Sequence, residues 1–286
     1  MTRTEVATGT PGRATTSSRR GGVPGVVVAA AVAIGLVFLA LPIATLVGRA
    51  VLGGSIESAV TAPVLQALTL SLATTTVSLV LTLVFGLPLA WLLARRTFRG
   101  ASVIEALVDL PIVLPPSVAG LALLLAFGRE GVLGRPLADA GIALPFTTAA
   151  VVLAQAFVAA PFFVRSARTG FAGVDRSVED AARVDGASEI GVVRHVTLAL
   201  ARPALAAGLV MSWARSLGEF GATIMFAGNI GGRTQTLPLL VYAQFEGGAL
   251  DQSIAAAAIL ALAAFGVLVA VRVLRWGWVI DARVAP

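Results

Sequence analysis

The chain is 286 residues long, 57% apolar and 13% charged, with a mean hydropathy of +0.92 and no cysteine, where soluble domains average about 45–50% apolar and about 25% charged. That composition excludes a water-soluble globule, a disordered chain, a collagen-like repeat and a disulfide scaffold, and leaves an all-α, polytopic membrane protein. The net charge of +6 rests on 21 basic residues, all of them Arg; they punctuate apolar runs instead of clustering beside aromatics on one soluble face, which argues against a nucleic-acid partner.

Residues 1–25, rich in Thr, Ser, Gly and Arg, are expected as a mobile tail. Crossing about 30 Å of hydrocarbon takes about 20 apolar residues, and six stretches reach or approach that length: 26–47, 68–94, 107–128, 145–164, 203–227 and 253–274. The first exceeds a secretory h-region of about 7 to 15 residues and has no small-x-small cleavage site, so it reads as a retained helix. The second carries Ser71, Thr75, Ser78 and Thr82 on one helix face. Such hydroxyls either bond back to their own helix and permit close packing, or donate to a passing oxyanion without forming a deep electrostatic well. In the third, Pro111, Pro115 and Pro116 ahead of Ser117 predict a kinked or unwound segment. Asp109 is expected at the membrane interface, as a charge favoured near a helix N-terminus.

Between spans four and five, the loop of about 166–202, flanked by Arg165, is patterned despite its charge. Ser177 to Asp180 matches a capping box, and Val174, Val178, Ala181 and Ala182 recur at helical spacing. Gly186 breaks that helix, and Ser188 can cap a second one through Ile190, Val193 and Val196. The expectation is a two-helix elbow on the membrane surface. His195 has no metal partner at ligand spacing and reads as a surface residue. In span five, Arg215 and Glu219 stand four residues apart. Each would cost at least about 2.5–3.5 kcal/mol alone in the membrane, so they are expected to pair, whether for packing or in a pathway. Residues 277–286 close the chain as a second tail behind a transmembrane domain of 26–276.

Sixteen arginines fall in the two tails and the even-numbered loops, against Arg49, Arg129, Arg135 and Arg233 in the odd-numbered ones. This bias predicts both termini in the cytoplasm. There is no Walker A loop, GxGxxG, HExxH or Cys/His cluster, so neither a catalytic nor a metal site is expected and any energy source lies in another chain.

The segment Glu179-Asp180-Ala181-Ala182-Arg183-Val184-Asp185-Gly186-Ala187, followed by Val196-Thr197-Leu198, resembles the EAA loop of the permease subunits of ABC importers. Asp180 stands where Glu is usual, and Ala199 where Pro is usual. Ser216 to Asn229, Gly232 to Pro238 and Asp109 to Gly120 are similar to the molybdate branch of these permeases, whereas sulfate permeases tend to carry Tyr at the position of Phe220. The resemblance spans about residues 65–275. It implies a type I ABC importer permease fold in the inner cell membrane, working as a homodimer with a second copy of itself. Cytoplasmic ATPase subunits would dock on the elbow through Glu179, Asp180, Ala181, Ala182, Asp185, Gly186 and Ala187. ATP and Mg would be used by that partner, this chain holding no cofactor, and an extracytoplasmic molybdate-binding protein would deliver the substrate. Ser71, Thr75, Ser78, Pro115, Pro116, Ser117, Arg215, Glu219 and Thr223 are the candidate pathway residues. Tungstate, sulfate or thiosulfate are alternative substrates. An ion-coupled secondary anion carrier is the rival of another class, though the two-half symmetry common in such carriers is not evident; an intramembrane enzyme would lack a nucleophile and base at recognisable spacing.

Overall fold

The computed structural model describes residues 23–54 and 61–284, with side chains through residue 269. Residues 1–22 of the expected N-terminal tail lie outside the described residues. Among the described residues every regular element is helical. Helix α1 (Val23–Leu52) is 30 residues long and apolar on every side, and belongs through Thr45 to a unit of its own. From Gly25 to Thr45 its side chains are exposed around the whole circumference, a surface suited to hydrocarbon and not to water.

The second unit holds α2 (Ala62–Arg95), α3 (Ala101–Val113), α4 (Pro116–Phe127), the short α5 (Gly134–Asp139), α6 (Thr148–Ala172), α7 (Arg176–Val184), α8 (Glu189–Leu217), α9 (Gly221–Ala227), α10 (Leu237–Glu246) and α11 (Leu250–Val284). Helices α1, α2, α6, α8 and α11 are each long and apolar enough to cross a membrane, and the bent pair α3–α4 makes a sixth span if counted as one.

Cross-contacts fix the direction of each pass. Thr75 meets Gln155, Gly86 faces Phe163, and Arg95 reaches the Val174 carbonyl, so α2 and α6 run parallel. Helix α8 runs against α6, with Ser166 bonded to Ala204, Ser212 to Ala159 and Ser216 to Gln155. Two parallel neighbours require the chain between them to cross back. The α3–α4 pair does this. Glu105 and Asp109 of α3 pair with Arg168 and Arg165 near the end of α6, whereas Ala119 and Leu123 of α4 pack on Ala150 and Ala154 near its start. The pair is therefore one topological pass, bent by 119°. The bend falls at Leu114–Pro115, where the proline string was expected to break the helix. Asp109 lies late in α3, not at its N-terminus, and its charge is met by Arg165 at 3.5 Å.

Four other boundaries differ from expectation. Span four continues to Ala172, and span five begins at Glu189, so only residues 173–188 separate the two elbow-side helix bodies. The stretch expected as one span over 203–227 is broken at Gly218–Phe220. Helix α11 runs to Val284, through most of the expected C-terminal tail. Within α8, residues Val193–Thr197 form a π-helical turn.

The core is made by small residues. A Cβ on Gly170 would lie 2.6 Å from the Ala204 methyl and one on Gly208 2.8 Å from Ser166 Cβ, so α6 and α8 meet at near-backbone distance. Phe163, buried completely, fills the level between them and Gly86.

Candidate functional site: the elbow and the broken helices

The elbow forms, with a different cap from the one expected. Asp175, not Ser177, is the N-cap of α7: its carboxylate accepts from the Ser177 backbone N–H at 2.9 Å, and that bond holds its pKa below the ordinary carboxylate value. Gly186 follows at φ +89°, a left-handed conformation that reverses the chain between the helices. Ser188 caps α8 as expected, accepting from Gly191 N–H at 3.2 Å. Across this turn Arg183 staples the two helices, with Nε 2.8 Å from one Glu189 oxygen, Nη2 3.2 Å from the other and Nη1 2.7 Å from Asp180. The fork raises the Arg183 pKa and lowers that of Glu189, in each case chiefly through their shared hydrogen bonds.

The seven elbow residues divide in two. Glu179 turns inward and is buried: Arg95 at the end of α2 lies 2.6 Å from its Oε1, and Thr197 Oγ1 donates to the same atom. Arg95 also donates to the Val174 carbonyl, and Arg176 to that of Arg95. Glu179 thus ties α7 to α2 and to the π-turn of α8. Asp180, Ala181, Asp185, Gly186 and Ala187 are exposed and Ala182 is half-buried. Beside them Val184 and Ile190 are 87% and 80% exposed. His195 is exposed, as expected, with Nδ1 3.1 Å from the Gly191 carbonyl.

The hydroxyl stripe of α2 faces the interior of the bundle. Ser71, Thr75, Ser78 and Thr82 are at most 3% exposed. Ser71 accepts from Leu237 N–H at 2.7 Å and so caps α10; Thr75 accepts from Gln155 at 3.5 Å; Ser78 and Ser216 share a bond of 3.2 Å. In this conformation Ser71, Thr75 and Ser78 join helices, while the Thr82 hydroxyl has no partner among the described residues and borders an apolar cleft with Phe85, Leu123 and Phe127. Gln155, completely buried in the first third of α6, was not singled out by sequence reasoning, although an uncharged amide inside an apolar span was a visible signal.

Inside the bundle, beyond its elbow-side half, the two breaks meet. A Cβ on Gly221 would lie 2.6 Å from Pro116, and one on Gly120 2.6 Å from the Ala222 carbonyl oxygen, so α4 lies directly on α9. Arg215 and Glu219 pair as expected, at 2.7 Å. Glu219 is 1% exposed and its second oxygen accepts from Ala222 N–H at 2.8 Å, capping α9 just after the break. The Arg215 side chain keeps 29% of its surface, and Gly218 at this break and Pro115, Pro116 and Ser117 at the other are exposed. Thr223 is buried, its hydroxyl without a protein partner among the described residues. Among the described residues no group of acidic or His side chains is arranged to hold a metal.

Known proteins match this architecture. Residues 86–276 match the family described as the binding-protein-dependent transport system inner membrane component. The molybdenum transport system permease protein ModB of Mycobacterium tuberculosis is 47% identical over 73% of this chain and 80% of its own length. ModB of Escherichia coli K12 is 44% identical over 64% of this chain and 80% of its own. Among solved structures, a bacterial ABC transporter that imports alginate aligns with a TM-score of 0.69 at 16% identity, over 92% of this chain and 96% of that one. The MetNI methionine ABC transporter aligns at 0.56 and 21% identity, over 75% and 98%. At such identities these two speak for the fold alone.

Proposed function

The chain belongs to the binding-protein-dependent transport system inner membrane components, and from that premise we propose that it is the permease subunit of an ATP-driven importer for molybdate. Two copies form the translocation pathway between them, with both termini and the elbow in the cytoplasm. A separate ATPase, using ATP and Mg, docks on each elbow, and an extracytoplasmic molybdate-binding protein delivers the anion. The observation that carries this reading is the outward face of the elbow. Val184 and Ile190 are exposed on either side of the Gly186 turn, on a scaffold held from behind by Glu179 and across its turn by Arg183. Apolar side chains presented on a rigid mount suit a docking partner. Because Glu179 connects that mount to both α2 and α8, displacement of the elbow by the ATPase would move two spans together.

On the pathway side, Arg215 lies beside the break at Gly218–Phe220, and Pro116 and Ser117 beside the bend at Leu114–Pro115. Arg215 supplies positive charge there, and Glu219 keeps that charge from becoming a trap, since transport needs binding weak enough for release. Reconstituted uptake tests the reading. Proteoliposomes holding the permease, the ATPase and the binding protein should accumulate labelled molybdate only with ATP inside the ATPase compartment. Accumulation by the permease alone, driven by an ion gradient, would establish the secondary-carrier alternative instead, and preferential uptake of sulfate or tungstate would reassign the substrate.

A further inference from the structure

Where the end of α2 meets the elbow lies a cleft of about 350 Å³, lined by Trp91, Arg95 and Arg96 of α2 and its end, by Arg176 and Arg183 of α7, and by Thr197 of α8. Its charges are unequally engaged. The cleft's carboxylates, Glu179, Asp180 and Glu189, are held by Arg95 and Arg183. Arg96 and Arg176 are exposed and take part in no ion pair among the described residues.

We propose that this cleft binds the phosphate of an anionic phospholipid headgroup. The level is right: the cleft begins at the end of an apolar span, and Trp91, half-buried one turn above Arg95, is the kind of amphipathic ring that settles at the headgroup layer. Guanidinium forks match phosphate oxygens two at a time, and basic recesses between spans favour anionic headgroups. In this arrangement Arg96 and Arg176 donate to the phosphate oxygens and supply the unneutralised charge. Because Arg96 stands at the end of α2 and Arg176 opens α7, a lipid held by both steadies the mount of the elbow. The inference needs the membrane placement and does not depend on which anion is transported, so uptake assays and this test can fail independently.

Native mass spectrometry of the detergent-purified permease–ATPase complex is the test, titrated separately with phosphatidylglycerol, phosphatidylcholine and inorganic phosphate. The expected result is retention of phosphatidylglycerol over phosphatidylcholine, weakened about fivefold for each guanidinium removed in Arg96→Gln and Arg176→Gln. Unchanged retention in both variants, no preference for the anionic lipid, or displacement of the lipid by inorganic phosphate alone would overturn the proposal, the last in favour of a free-anion site. If the ATPase rather than a lipid fills the cleft, the complex will show no phosphatidylglycerol adduct while the isolated permease does, and that too would sink it.

Discussion

Glu179 is the residue on which the elbow turns. Its carboxylate has a guanidinium on one side and a hydroxyl on the other, and its side chain and that of Arg95 are 10% and 9% exposed. Glu179→Gln keeps the shape and leaves Arg95 buried without its counter-charge. Breaking a pair of this kind costs about 3–5 kcal/mol. The expected outcome is a lower Tm for the purified permease and ATP hydrolysis that no longer responds to the loaded binding protein; a variant with unchanged coupling would mean the elbow moves α2 and α8 by another route. Residue-level reading of the sequence found Glu179 as part of a motif but could not find Arg95, because the partner lies 84 positions upstream and only packing brings the two together. The Arg215–Glu219 pair was legible for the opposite reason: four residues on one helix define a contact without tertiary information.

At the scale of elements, periodicity located the spans, and the proline string located the bend between α3 and α4. The break between α8 and α9 was not legible, since Gly218-Glu219-Phe220 contains no helix-stopping proline and the apolar run continues through it. What holds the break in place is tertiary: Glu219 caps α9, and α4 presses on α9 through glycine. The hydroxyl stripe was legible as a face, but a period says only that residues share a side and not whether that side meets helices or an opening. The α4–α9 contact yields a test. Gly120→Ala would put a methyl 2.6 Å from the Ala222 carbonyl oxygen and 2.8 Å from its Cα, where backbone cannot give way. Overpacking of this kind costs about 1–3 kcal/mol, and a fall in Tm with loss of uptake is expected. Gly266→Ala, where a methyl would meet nothing within 4 Å, should change stability by no more than about 1 kcal/mol, with uptake retained.

At the scale of the whole molecule, arginine asymmetry alone supports the orientation. The chain's lack of cysteine makes that directly measurable. His195→Cys at the elbow and Val132→Cys in the loop between α4 and α5 are both exposed positions at opposite ends of the second unit. In intact cells a membrane-impermeant maleimide should label the second and not the first; the reverse pattern would invert the topology.

The π-turn at Val193–Thr197 bears on how such a protein tolerates change in its length. Its i→i+5 bonds accommodate one residue more than an α-turn, and each residue of an α-helix advances about 100° around the axis. The turn therefore absorbs a residue: the elbow and the membrane part of α8 keep the relative azimuth of a continuous helix although the chain between them is one residue longer. A one-residue deletion here would let the helix relax to α geometry with the contacts on both sides intact, whereas the same deletion in a regular stretch of α8 would turn the elbow by about 100° against the bundle. This pentapeptide is where α8 can lose a residue without its two ends losing register.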